Sequence, residues 1–160
     1  MRFRQHSENF FPSLREILAR ANCSLAQIEQ VFFTSLPGSQ TGYRISLAFV
    51  FTLQVLNPKI KFYHLNSLLF QAGKAKAISL INFDQKKTKC YGAVFQATKC
   101  LVKPKLMGSL EVQKKLIQNK RFSHYLICQD FYQISQNGKK RKVNFLAKFH
   151  QLISHFGPFT

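Results

Sequence analysis

Chemistry-bearing residues are densest in the run Pro37-Gly38-Ser39-Gln40-Thr41-Gly42, with Arg44 two positions later. Its two glycines permit positive φ and a tight turn. The N–H groups that open a following helix can cradle an anion or an approaching chain. Arg44 could grip a carboxylate or phosphate through a two-pronged contact, or equally brace the loop. The run lacks the Gly-Lys-Ser/Thr ending that supplies nucleotide loops with a charged ligand and a magnesium hydroxyl. On pattern alone it is therefore a weak phosphate loop and reads first as a strand-to-helix turn.

Other reactive groups form no constellation. The six acids, Glu8, Glu16, Glu29, Asp84, Glu111 and Asp130, include no pair that sequence places in a shared cleft for acid–base work. Cys23, Cys90, Cys100 and Cys128 show no CxxC pair and no zinc spacing with the five histidines. They read as small apolar residues in a reducing compartment. No catalytic, metal or cofactor-binding set emerges, and the expected cofactor count is none.

The elements that must position the glycine run are legible from hydrophobic period. Phe10, Phe11, Leu14, Ile17, Leu18 and Ala21 have amphipathic-helix spacing, with Pro12 expected in the first turn. Ser24 and Gln27 can cap a short turn. Val31-Phe32-Phe33-Thr34 is a buried strand, residues 35–42 a loop, and Tyr43 to Leu56 a helix that Asn57-Pro58 stops. A short strand over 61–63 and a helix over 65–72 follow. Two strands, Ala77 to Phe83 and Cys90 to Phe95, form a hairpin around the polar stretch 84–89. Further expectations are a helix over 109–118, a strand over 125–128 and a helix over 143–156. That last helix presents Val143, Leu146, Phe149, Leu152, Ile153 and Phe156 on one face and ends at Gly157-Pro158. The order is that of an α/β chain, with a lobe boundary near residues 72–76.

Composition narrows the class. The 160 residues are 46% hydrophobic with 17 Phe, enough to bury a core. With 24 Lys+Arg against 6 Asp+Glu, the net charge of +18 attracts polyanions, RNA foremost. The plain alternative is that lysines, scattered along most of the chain, only solvate its surface. The start, Met1 to Glu8, lacks the apolar stretch of a secretory signal. The longest apolar run, Ile45 to Leu56, falls short of the roughly 20 residues a bilayer span needs. A soluble cytoplasmic protein without membrane contact is expected.

Four ordered segments together carry a resemblance. Pro37-Gly38-Ser39-Gln40-Thr41-Gly42-Tyr43-Arg44-Ile45-Ser46-Leu47-Ala48 resembles the Gly-Pro-Gly-Ser-Phe-Thr-Gly-hydrophobic-Arg-Ile-Gly-hydrophobic signature of the TsaB (YeaZ) family. His6-Ser7-Glu8 with Phe10, Pro12 and Ile17-Leu18 is similar to the family's histidine-led helix. Ser24-Leu25, Ile28 and the Val31 strand match the segment entering the loop, and Asp84-Gln85-Lys86 with Tyr91 matches the family's hairpin. The resemblance implies an actin/Hsp70-like (ASKHA, ribonuclease H-like) fold of two lobes, residues 1–74 and 75–160. The first lobe would be truncated, because the family's opening strands and Asp-Thr-Ser turn have no counterpart. Either the true start lies upstream of Met1 or this lobe is reduced.

The functional implication is a non-catalytic scaffold in tRNA threonylcarbamoyladenosine biosynthesis, dimerising with TsaD through the two helices that flank the glycine loop. Phe10, Leu14 and Ile17 on one helix, with Ile45, Phe49 and Leu53 on the next, would supply the apolar ridges. The family's motif loop maps to Pro37, Gly38, Ser39, Thr41, Gly42 and Arg44. The ATPase TsaE is a further implied partner, and the resemblance leaves a homodimer in isolation and direct tRNA contact open. TsaD itself carries two histidines spaced i, i+4 after the corresponding strand; here His64 stands alone with Leu68 at the second position. Departures are Leu36, Gln40 and Ser46 in the loop signature, and Lys86 and Lys89 in the hairpin. The competing reading is a stand-alone basic RNA-binding protein, suggested by the +18 charge and the Lys139-Lys140-Arg141-Lys142 cluster.

Overall fold

Two β-sheets organise the chain, and the helices between them carry the apolar faces the sheets need. The computed structural model describes residues 6–38, 40–82, 89–108, 110–111, 114, 123–127, 131–134, 140–142 and 144–159. Helix α1 (His6–Arg20) leads through a turn, Leu25–Gln27, to β1 (Gln30–Ser35) and α2 (Gln40–Leu56). Strand β2 (Lys61–Asn66) and the short α3 (Ser67–Ala72) complete the first half. Strands β3 (Ala77–Asn82), β4 (Lys89–Gln96), β5 (Lys99–Gly108), β6 (Ser123–Ile127), β7 (Phe131–Ile134) and β8 (Lys140–Lys142) follow. Helix α4 (Phe145–Leu152), a 3-10 turn (Ile153–His155) and β9 (Gly157–Pro158) end the described chain. The first sheet has the order β1-β2-β9, the second β5-β4-β3-β6-β7-β8.

In the first sheet β1 and β2 run parallel, with Val31 beside Phe62 and Phe33 beside His64. Side chains alternate across a pleat, so the sheet buries both faces. Val31, Phe33 and Phe62 pack with Val50 and Leu53 of α2. Phe32, Tyr63 and Leu65 pack with Phe149, Leu152 and Phe156 from the C-terminal segment and with Phe70 of α3. This is an α/β/α sandwich.

Gly157 and Pro158 pair antiparallel with His64 and Tyr63, and the Phe159 N–H donates to the Phe62 carbonyl at 2.9 Å. The sequence reading of Gly157-Pro158 as a helix stop is thereby corrected: a proline lacking its N–H is tolerated on an edge strand, and these residues close the β2 edge. The helix before them also stops earlier than expected, at Leu152, and tightens into the 3-10 turn. With that change of pitch Ile153 faces solvent while Leu152 and Phe156 stay buried, and Leu146, within the regular helix, is also exposed. Val143 lies outside the described residues. A division at residues 72–76 falls between the two sheets, but residues 145–159 cross back to the first.

The second sheet is antiparallel except between β3 and β6. The expected hairpin forms, with Asn82 opposite Cys90 and Ala77 opposite Phe95; its connecting residues lie outside the described set. One face carries Ala77, Ile81, Ala93 and Phe95 against Leu68 and Ala72 of α3. The other carries Ile78, Leu80, Cys90, Val94 and Met107. Gly92 is required there: a Cβ on it would stand 1.9 Å from Met107 Cε and 2.8 Å from Leu80 Cδ2.

Strand β5 was not expected, because its pattern is broken. Val102 pairs with Val94, Lys105 with Gly92 and Cys100 with Phe95, so β5 holds an extra residue in each of two places. Strands β7 and β8 were likewise not expected. Of the helix expected over 109–118, Leu110, Glu111 and Lys114 are described and helical. Helix α1 begins at His6, so Pro12 lies in its interior rather than its first turn, where it removes one helical hydrogen bond. No helix of the described residues is long and apolar enough to cross a membrane.

Candidate functional site

The glycine run joins β1 to α2 as the sequence implies, but the helix starts sooner, at Gln40. Thr41 and Gly42 therefore stand in the helix rather than in a loop before it, and Arg44 stands in the helix as expected. Gly42 offers its carbonyl to the Ser46 hydroxyl at 3.0 Å, so Ser46, one of the departures from the family signature, braces the first turn. Arg44 is exposed. Pro37 follows a cis peptide bond. Gly38 is exposed, and a Cβ added to it would meet nothing within 4 Å. Its glycine identity is thus not dictated by a close approach in this chain. Ser39 lies outside the described residues.

The loop's anchor comes from the neighbouring strand, where Asn66 pairs with Ser35. Asn66, at the end of β2, caps α3 by accepting from the N–H groups of Leu68 (2.9 Å) and Leu69 (3.4 Å). Its Nδ2 also donates to the Leu36 carbonyl at 3.0 Å. Ser35 Oγ donates to the Leu65 carbonyl at 3.3 Å, and Ser67 Oγ donates to that of Ser35. One cap thus holds the loop, β2 and α3 in register. The signal was present: Asn-Ser before Leu-Leu-Phe has the form of a helix N-cap.

Residues expected to form a partner surface divide into two groups. Phe10 and Phe49 are half-buried and meet edge-on, ring centres 5.1 Å apart, with Phe11 5.3 Å from Phe10 and 6.3 Å from Phe49. Leu14 and Ile45 are half-buried as well, and Ile17 is 62% exposed. Leu53 belongs elsewhere: at 2% exposure it lies in the core between α2 and the first sheet. What α2 shows to solvent instead is Phe51, Val55 and Leu56, with Val55 81% exposed. With Phe11 and Ile17 on α1 these make five large apolar side chains in solvent on adjoining helices. Between Phe10 and Arg20 no residue is fully buried.

Charge is less evenly spread than the sequence reading holds. Residues 73–142, which build the second sheet, contain sixteen of the 24 Lys and Arg and three of the six acids. One of those acids, Glu111, is paired with Lys105 at 2.5 Å. Glu111 also raises the thiol pKa of Cys90, where burial is the larger cause. Lys148 of α4 donates to the Gln71 carbonyl near the C-terminus of α3, and burial lowers its pKa to about 8. Among the described residues no group of three or more His, Cys, Asp or Glu comes together in a metal-binding arrangement. His64 lies beside Phe33 and Phe159, at ring-centre distances of 6.2 and 5.6 Å.

Comparison with known proteins places this geometry. No curated protein matches the chain. Among solved structures, a Pseudomonas aeruginosa protein described as uncharacterized with similarity to peptidase YeaZ aligns with TM-score 0.56 at 20% identity. YeaZ from Pseudomonas aeruginosa aligns with TM-score 0.52, also at 20% identity. Each alignment covers 66% of this chain and 52% of the other, so the chain spans about half the length of these relatives. They share the mixed α/β fold that the resemblance implied. A family model described as TsaD, tRNA N6-adenosine threonylcarbamoyltransferase, matches residues 2–144. With a family-model match over most of its length, the chain belongs to the TsaD family, and its fold is similar to that of YeaZ.

Proposed function

We propose that this chain is a non-catalytic subunit in the formation of threonylcarbamoyladenosine in tRNA, docking a TsaD-type catalytic subunit through α1 and α2. The observation that carries this is the exposure of Phe11, Ile17, Phe51, Val55 and Leu56 on those two helices. Large apolar side chains left in solvent on neighbouring helices favour coverage by a partner, and helical ridges interlock with those of another helix pair. The docking surface so drawn keeps Ile17 and the Phe10–Phe49 contact beneath it, and replaces Leu53 by Phe51 and Val55. The non-catalytic reading is supported by sequence, since His64 has Leu68 where TsaD-type proteins carry their second histidine. The family's TsaE-type ATPase would join the same assembly.

A second reading, a basic RNA-binding protein acting alone, is favoured by the concentration of positive charge on residues 73–142. The two differ in what salt does. Apolar docking persists as salt rises, whereas phosphate contacts weaken steeply. Co-purification with the organism's own TsaD-type subunit tests the first reading. A one-to-one complex that survives high salt and is lost in Val55→Asp, with the variant still folded, is the expected result. No complex at any ionic strength, alongside salt-sensitive RNA binding, would put the second reading first.

A further inference from the structure

The second sheet contains a ribbon whose charge is of one sign. Residues 85–110 hold six lysines and no acid. Within them β4 and β5 pair antiparallel around Ala97 and Thr98, whose φ values of 47° and 74° are those of a primed two-residue turn. The turn sets Lys99 opposite Gln96. Ala77 pairs with Phe95, so the same register continued by one residue brings Lys76 beside Gln96. Lys76, Gln96 and Lys99 thus form a row at one end of the sheet. Lys103 follows farther along β5, roughly 10–13 Å from Lys99 at the rise of a strand. All three lysines are exposed. Lys105 is already held by Glu111, whereas among the described residues neither Lys99 nor Lys103 forms an ion pair.

The rings of the ribbon decide which polyanion suits it. Single-stranded nucleic acid is gripped by exposed aromatic rings on which bases stack. Here Phe95 is buried, and Tyr91 is half-buried and packs with it in the cluster around Leu68. What reaches solvent is ammonium groups on flexible stems, which bind phosphates as point charges. Such contacts hold a backbone in place and read no sequence. We propose that the β4–β5 ribbon binds the phosphate backbone of base-paired RNA through Lys99 and Lys103, with Lys76 beside them.

This inference rests on the reading of the chain as a component of tRNA modification. It assigns the helical arms of the tRNA, rather than a single-stranded loop, to the second sheet. The docking helices α1 and α2 belong to the first, so one chain can serve both contacts. Lysines on a strand edge also discourage pairing with another strand, a role that leaves RNA affinity unchanged when they are removed.

Fluorescence anisotropy of the full chain with a short base-paired RNA, and with a single-stranded RNA of equal phosphate count, tests this across a salt series. The expected result is tighter binding to the base-paired RNA. Lys99→Gln with Lys103→Gln should weaken it about tenfold and make the dependence of log K on log salt shallower by about two. Lys59→Gln with Lys61→Gln removes the same charge from exposed positions in the first half and should change affinity less than about threefold. Both double variants should keep the wild-type thermal stability. Equal losses in the two double variants would show that only the net charge matters and would overturn the proposal. So would tighter binding to the single strand, or no RNA binding at any ionic strength. The assay contains no TsaD-type subunit, so failure of the docking reading and failure of this one are read separately.

Discussion

The three-stranded sheet holds its helices by apolar contact and leaves apolar residues in solvent around them; the six-stranded sheet is edged with lysine and, among the described residues, buries Ile78, Leu80, Val94 and Met107 while leaving Leu101 and Leu106 of β5 exposed. The difference tracks the sequence. Residues 1–72 contain seven Lys and Arg against three acids, and residues 73–142 contain sixteen against three. Among the described residues α1 and α2 expose Phe11, Ile17, Phe51, Val55 and Leu56, and β5 exposes Leu101 and Leu106. A sheet edged with cations stays monomeric and attracts anions, while an exposed apolar helix pair is stable in water only at the expense of solubility until covered. The lesson is that the two proposed readings draw on different halves: docking on the apolar helices of the first, polyanion binding on the charge of the second.

Removing the side chain that ties the C-terminal segment to the first sheet is expected to have the largest effect. Leu152 is fully buried against Phe70 of α3 and the first sheet. Leu152→Ala should destabilise by about 2–5 kcal/mol, read by urea denaturation. Within the second sheet, Gly92→Ala drives a methyl into Met107 and Leu80 and should cost about 1–3 kcal/mol.

A pH experiment probes the link between α3 and α4. The pKa of Lys148 is lowered from 10.5 to about 8 by burial. Between those values the unfolded chain holds this proton and the folded chain has released it, so stability rises with pH through that window. Below about pH 8 both states are protonated and the burial penalty is present in full. Lys148→Met should remove this part of the pH slope in parallel urea titrations. Smallest of all is Val55→Asp: at 81% exposure it should change stability by no more than about 0.5 kcal/mol. A large loss of stability in that variant would show that this face is covered within the chain itself, and the contrast between the two halves would fail.

Much of the fold was legible because its periods are clean. The amphipathic spacing of α1, the apolar run of β1 and the β3–β4 hairpin all stand where hydrophobic pattern puts them. Strand β5 was hidden because two extra residues break its alternation and Lys99, Lys103, Pro104 and Lys105 read as loop. The C-terminal crossing was hidden because the helix changes pitch at Ile153, and because Gly157-Pro158 reads as a stop when no partner strand is in view. For the docking surface, α2 was the difficulty. After Arg44 it carries no charged residue, so no polar face shows which apolar side chains turn inward. Phe49 and Leu53 look outward-capable in sequence and prove half-buried and buried, while Phe51 and Val55 reach solvent. The loop's anchor, Asn66, lies thirty residues from Leu36 and was joined to it only by folding.

Reconstitution of tRNA modification tests the central claim most directly. The organism's TsaD-type subunit, supplied with its threonylcarbamoyl donor and tRNA, would be assayed alone, with this chain, and with the folded Val55→Asp variant. The account predicts that modified adenosine forms only when the wild-type chain is present and that the variant fails to restore it. Equal modification with and without the chain would contradict a scaffold role.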